Sequence, residues 1–184
     1  KFFAQKKVGI LGFGLEGQST YGFLKAHGII VTGIMDQNPN LAQQDACPLI
    51  TGESHLDSLS EFDIVIRSAG ISPLKPKIQT FLKQGGVITS QLDLFCRFFS
   101  GQIVGITGTF GKGTTLSLLS HILQQNHKPH TLAGNIGVAM LDTLVEQKPL
   151  ALLELSSFQL MDFTHDIMGS IILSTTSEHL DWHR

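Results

Sequence analysis

Along the first half of the chain, short apolar runs alternate with longer amphipathic stretches. Val8-Gly9-Ile10-Leu11 is a run of four that gives way to glycines. A helical pattern then carries Tyr21, Phe23 and Leu24, and Ile29-Ile30-Val31-Thr32-Gly33-Ile34 follows as a second branched run. Runs this short, bounded by glycine and rich in β-branched residues, read as strands, whereas apolar positions recurring at a period near 3.6 read as helix. Two further runs, at 63–66 and 86–89, are separated by Pro73, Pro76 and a predicted helix over 77–84. Strands alternating with helices predict an α/β fold with a parallel sheet, because parallel neighbours require a crossover and a helix supplies it.

The stretch Gln91-Leu92-Asp93-Leu94-Phe95-Cys96-Arg97-Phe98-Phe99 reads as an amphipathic helix, after which Gln102-Ile103-Val104-Gly105-Ile106-Thr107 starts the alternation again. A domain boundary is therefore expected near Ser100, giving units 1–100 and 101–184. The second unit continues with a predicted helix over 113–125 and strands at 150–154 and 170–174. Its length is short against the about 100 to 200 residues usual for such a domain, so it is expected to continue beyond Arg184.

Composition adds exclusions. A chain of 184 residues that is 42% hydrophobic and 15% charged is an ordinary globular protein. Its formal net charge of -2 offers no broad attraction for nucleic acid or anionic lipid. No stretch reaches the ~18 apolar residues of a membrane span, and Cys47 and Cys96 match no zinc spacing. The expectation is a soluble cytoplasmic protein with no nucleic-acid partner and no membrane insertion.

Two glycine loops carry the chemistry. Gly12-Phe13-Gly14-Leu15-Glu16-Gly17 follows a predicted strand and opens a predicted helix, so a phosphate can approach the helix N-terminus closely. Asp36 ends the second strand, where a carboxylate can accept hydrogen bonds from ribose hydroxyls or serve as a turn and capping residue. Gly108-Thr109-Phe110-Gly111-Lys112-Gly113-Thr114 also links a strand to a helix, with Lys112 placed for the β- and γ-phosphates of a nucleotide and backbone N–H groups forming an anion nest. It departs from the usual phosphate loop at Ile106, where a glycine leads, and at Gly113, where a magnesium-binding Ser or Thr stands. Glu154, on an apolar strand, calls for a cation, a metal ion or a lysine, because burying a lone carboxylate is costly.

Gly105-Ile106-Thr107-Gly108-Thr109-Phe110-Gly111-Lys112 is similar to the nucleotide loop of the Mur ligases. Three more blocks follow in family order: Gly134-Asn135-Ile136-Gly137, Glu154-Leu155-Ser156-Ser157-Phe158-Gln159-Leu160 and Glu178-His179-Leu180-Asp181-Trp182-His183. The second block resembles the D-glutamate-adding branch more than its siblings, and the Gly12 to Gly17 loop, Asp36 and Ser68-Ala69-Gly70-Ile71 fit it too.

The resemblance implies a Rossmann-like first domain that holds the UDP of a UDP-N-acetylmuramoyl precursor, followed by the start of a P-loop ATPase-type α/β domain. It implies an ATP- and Mg2+-dependent ligase that phosphorylates the carboxylate of UDP-N-acetylmuramoyl-L-alanine and lets the amine of D-glutamate attack the acyl phosphate. By position, Gly108, Thr109, Phe110, Gly111, Lys112, Gly113, Thr114 and Thr115 would hold ATP, and Thr114, Glu154 and His179 would be metal ligands. Lys112, Glu154 and His179 form the expected catalytic set. Gly14, Leu15, Glu16, Asp36, Gln37, Ser68 and Gly70 would border the uridine diphosphate, with Asn135, Ser156 and Gln159 near the muramoyl group.

The chain departs from the family at Gly113, at Glu16 (usually a small hydroxyl residue), at Asn38 (often arginine) and at Ala69 (commonly proline). The family's carbamylated lysine and C-terminal domain would lie beyond Arg184, so the chain alone is expected not to complete the ligation. Two other readings stand beside this one: a non-catalytic nucleotide or UDP-sugar binding module, and an NAD-dependent oxidoreductase built on Gly12, Gly14, Gly17 and Asp36.

Overall fold

The computed structural model describes residues 2–42, 47–134, 138–161 and 163–183. They form two compact units, each built on a parallel sheet. The first contains β1 (Val8–Leu11), α1 (Leu15–Ala26), β2 (Val31–Asp36), β3 (Leu49–Thr51), a 3-10 helix (Asp57–Glu61), β4 (Ile64–Arg67), α2 (Pro76–Lys83) and β5 (Val87–Ser90). Its strand order is β3-β2-β1-β4-β5, with every pair parallel. Strands β1 and β4 are buried at every residue, as central strands covered on both faces must be. That is why their sequences are unbroken apolar runs rather than alternations. Leu11, Met35, Leu59, Phe62, Val65, Ile78 and Phe81 make one continuous core cluster.

Arg67 is the exception on β4. It is 1% exposed, and its guanidinium donates to the carbonyls of Ser68 and Ala69 at 3.1 and 3.3 Å and to that of Ile71. A buried charge is tolerable only when hydrogen-bonded, and here its donors gather the turn that leaves β4.

Helix α3 (Gln91–Phe98) leads onward, and the units divide between Gln91 and Leu92, inside this helix rather than near Ser100. The hydrogen bonds explain the shift. Gln91 Nε2 donates to Glu16 O at 3.1 Å. Beyond it, Asp93 pairs with Arg97 and His165, and the Phe98 carbonyl accepts from Gln147 Nε2.

The second unit continues with β6 (Gln102–Thr107), α4 (Lys112–Gln125), β7 (Thr131–Gly134), a 3-10 helix (Met140–Val145), β8 (Leu150–Glu154), α5 (Ser157–Leu160) and β9 (Gly169–Ile172). The order is β7-β8-β6-β9, again parallel. Ile106, Leu116 and Leu152 centre its core, with α4 contributing Leu119 and Leu123 at helical spacing.

The expected strand at 29–34 begins later than its apolar run. Ile29 N–H still closes α1 on Leu24 O at 2.9 Å, and Ile30 is 78% exposed. Strands β3 and β7 went unpredicted because three or four residues carry no readable period. Among the described residues no helix is long and apolar enough to cross a membrane.

The first sheet depends on a glycine where helix meets strand. An added Cβ on Gly17 would lie 2.1 Å from the Gly12 carbonyl oxygen. Gly17→Ala is therefore expected to cost about 2 kcal/mol of stability, read as a lower urea midpoint at unchanged slope. An unchanged midpoint would show that the contact relaxes freely.

Candidate functional site

In a parallel sheet, ligands bind at the carboxyl ends of the strands, where the strand order reverses direction. In the first unit that place is the mouth of β1, flanked by β2 and β4. Gly12, at φ +89°, turns the chain there, and Gly14 leaves the loop open, since a Cβ on it would meet nothing within 4 Å. Gly14 caps α1 without a side-chain hydrogen bond, so the first amides of the helix point outward.

A cavity of about 380 Å³ opens at this mouth, within the range of small-molecule sites. Of the expected substrate residues, Gly14, Leu15, Glu16, Asp36, Gln37 and Ser68 line it, while Gly70 lies exposed on the turn after β4. Sequence reading missed His55 and Lys75, which also line it. Neither sits in a motif; each follows a strand end that only the assembled sheet brings to the cavity.

The two carboxylates are already engaged. Asp36 accepts the Phe13 N–H at 2.6 Å and the Asn38 N–H at 2.7 Å, so it fastens the glycine loop to the end of β2. Glu16 accepts the Ala69 N–H at 2.9 Å, and Ser68 Oγ donates to Gly12 O at 3.0 Å. Glu16 thus ties the start of α1 to the turn after β4, so its charge is met by a backbone donor.

In the second unit β6 runs between β8 and β9, so its loop leaves between their ends. Gly108 at φ +136° and Gly111 at φ +84° bend the loop, and Gly111 caps α4. Thr109 N–H donates to Ser174 O at 2.9 Å, fixing the loop against the end of β9. Phe110 is exposed, as are Gly111 and Thr114; Gly113 and Thr115 are half-buried. Lys112 opens α4 and folds its ammonium back onto the carbonyls of Gly108 and Thr109, at 2.7 and 3.1 Å.

Glu154 ends β8, in register with Ile106 on β6 and Gly134 on β7. It is 7% exposed, and its carboxylate makes no hydrogen bond and no ion pair among the described residues. An added Cβ on Gly113 would stand 3.2 Å from Glu154 Oε2, so the carboxylate faces the first turn of α4. A buried acid without a partner calls for a cation. Hard carboxylate oxygen, here beside the Lys112 loop, is the donor type that magnesium takes.

The remaining expected residues are placed differently. Ser156 and Gln159 form a reciprocal cap on α5: Ser156 Oγ accepts the Gln159 N–H at 3.3 Å, and Gln159 Oε1 accepts the Ser156 N–H at 3.0 Å. His179, at φ +53°, sets its ring 4.8 Å from that of Phe158, which also meets Trp182 and His183. Asn135 lies outside the described residues. Among the described residues no three His, Cys, Asp or Glu side chains gather closely enough to hold a metal ion.

Comparison with known proteins gives concordant results. The N-terminal domain model of MurD-like Mur ligases matches residues 6–90, and the Mur ligase middle-domain model matches residues 106–184. Over 97% of its length the chain is 36% identical to the UDP-N-acetylmuramoylalanine–D-glutamate ligase of Leptospira interrogans. Over the same share it is 32% identical to the UDP-N-acetylmuramoyl-L-alanine–L-glutamate ligase of a Micromonospora species. It spans 38% and 40% of those two proteins, about two fifths of the curated relatives' length. The fold is that of the UDP-N-acetylmuramate–alanine ligase of Thermotoga maritima, with a TM-score of 0.51 at 19% identity over 97% of this chain and 44% of that one.

Because Asp36 accepts two backbone amides, that of Phe13 in the glycine loop and that of Asn38 just after β2, Asp36→Ala is expected to lower stability by about 1 to 2 kcal/mol with no ligand present. A chemical denaturation curve matching the parent's would assign Asp36 to ligand contact alone.

Proposed function

The chain belongs to the Mur ligase family, and from that premise we propose that it carries the UDP-substrate and ATP sites of a ligase joining D-glutamate to UDP-N-acetylmuramoyl-L-alanine. The reaction belongs in the cytoplasm, where ATP and nucleotide-linked precursors are available. The observation that carries the reading is Glu154, a buried carboxylate facing the first turn of a helix that opens with Lys112.

The chemistry explains these residue types. A carboxylate is a poor electrophile, so the substrate's carboxylate oxygen first attacks the γ-phosphorus of ATP, giving an acyl phosphate and ADP. The glutamate amine then attacks the acyl carbon, an amide bond forms, phosphate leaves, and the amine gives up a proton. The first step brings two anions together, which requires fixed positive charge and alignment. Lys112 supplies one ammonium. It rests on two carbonyls of its own loop, contacts that phosphate oxygens replace with charge-assisted bonds. Gly108, Thr109, Phe110, Gly111, Gly113, Thr114 and Thr115 form the rest of the cradle.

Glu154 would hold magnesium together with Thr114, and His179 from the last block would be a ligand at a second metal. When bound, the ion supplies Lewis-acid neutralisation of phosphate charge. In the first unit Gly14, Leu15, Glu16, Asp36, Gln37, Ser68 and Gly70 would border the uridine diphosphate, and Ser156 and Gln159 would shape the segment near the muramoyl group. The likeness to an L-glutamate ligase supports a second reading, in which the amino acid is L-glutamate. Competition between the two isomers in a ligation assay of the full-length protein separates the readings.

ATP titration with and without magnesium tests the site. Lys112→Met is expected to weaken Mg-ATP binding at least roughly tenfold, the loss of one charge-assisted bond. Gly113→Ser restores a hydroxyl beside Glu154 and is expected to tighten Mg-ATP, but not ATP alone, by roughly threefold to tenfold. Binding indifferent to magnesium and to both substitutions would overturn the assignment.

A further inference from the structure

Four side chains around the first unit's cavity are ionisable: Glu16, Asp36, His55 and Lys75. The two acids use the amides of Phe13, Asn38 and Ala69. These are donors that a phosphate would otherwise find in the turns after β1, β2 and β4. The cavity is thereby left with two carboxylates and fewer free amides, a poor setting for a polyanion unless other side chains compensate.

His55 and Lys75 are the groups available. His55 is 6% exposed, and its Nδ1 lies 2.7 Å from Gly52 O. A carbonyl only accepts, so Nδ1 carries the hydrogen, and in the neutral ring Nε2 is the acceptor. Nε2 makes no hydrogen bond among the described residues, and it is not sealed from solvent. His55 is among the residues that line the cavity. Lys75 caps the start of α2, is exposed, and forms no ion pair among the described residues.

These two residues sit on opposite sides of β1. His55 follows β3, on the β2 side of the sheet, and Lys75 follows β4. An acceptor nitrogen repels phosphate oxygen and attracts a hydroxyl or an imide N–H, whereas an ammonium does the reverse.

We infer that His55 and Lys75 read the two ends of a nucleoside diphosphate in this cavity: His55 Nε2 accepts a hydrogen bond from the nucleoside, and Lys75 balances the diphosphate. This rests on the reading of the first unit as a UDP site and adds two residues and an orientation to it. The bound nucleoside lies toward β2 and β3, with its phosphates across the mouth of β1 toward β4.

Calorimetric titration of the 184-residue chain with uridine, UMP and UDP tests the orientation. His55→Asn keeps a donor for Gly52 O and removes Nε2, so it should weaken all three ligands alike, by roughly tenfold. Lys75→Met should leave uridine unchanged and weaken UDP by roughly tenfold, with UMP between. Lys75→Arg should restore UDP binding. Circular dichroism checks that each variant folds; Lys75, on the surface, tolerates substitution. If the unsubstituted chain binds UDP and both variants match it, the inference falls and the UDP reading stands. Losses independent of phosphate number in Lys75→Met also overturn it. No UDP binding by the unsubstituted chain overturns both.

Discussion

The first sheet can present its ligand loop only if a strand hands over to a helix with almost no bulk between them. In the first unit the backbone of α1 at Gly17 lies against the carbonyl of Gly12, so close that a single carbon would intrude at 2.1 Å. This approach sets the helix amides at the strand end and aims them out of the sheet, where an anion can use them. The cavity beside β1 depends on it.

Once the backbones are that close, the side chains at the strand ends have few choices. Carboxylates in the first unit find amides within reach, and Asp36 and Glu16 become fasteners between β2, the glycine loop and the turn after β4. Glu154 occupies the equivalent strand end in the second unit, and there the neighbouring loop belongs to Lys112 and its own carbonyls. No donor among the described residues turns to it. The same chemical group is structural in one unit and available to a cation in the other, and the difference lies in which amides the loops leave free.

This contrast bears on how the chain relates to its family. The glycine loop of the first unit carries a glutamate where a small hydroxyl residue is usual, and that glutamate works as an internal tie. Compensation for the added charge falls to Lys75, which follows β4 and lines the cavity from outside the motif. The second loop changes in the opposite direction, losing a hydroxyl at Gly113 while keeping the lysine and the buried acid. Similar identities to D- and L-glutamate ligases are compatible with both changes, since neither loop touches the amino acid in the proposed reaction.

The residues by themselves determined the α/β class, the two successive units, both glycine loops and the position of Lys112. All of these follow from local periods, from glycine's freedom of φ and from the order of blocks along the chain. Glu154 was legible too, because a lone acid in an apolar strand is costly wherever the strand is buried. The partners were not legible. Phe13 and Asp36 are 23 positions apart, and Glu16 and Ala69 are 53 apart. Only the parallel register of β1 with β2 and β4 decides that they meet. Tertiary structure likewise set the unit boundary inside α3, whereas the cap that Ser156 and Gln159 form on α5 is a local pairing three positions apart. Tertiary structure also brought His55 and Lys75 to one cavity, because a hydrogen-bond partner is chosen by distance in space, which no local pattern encodes.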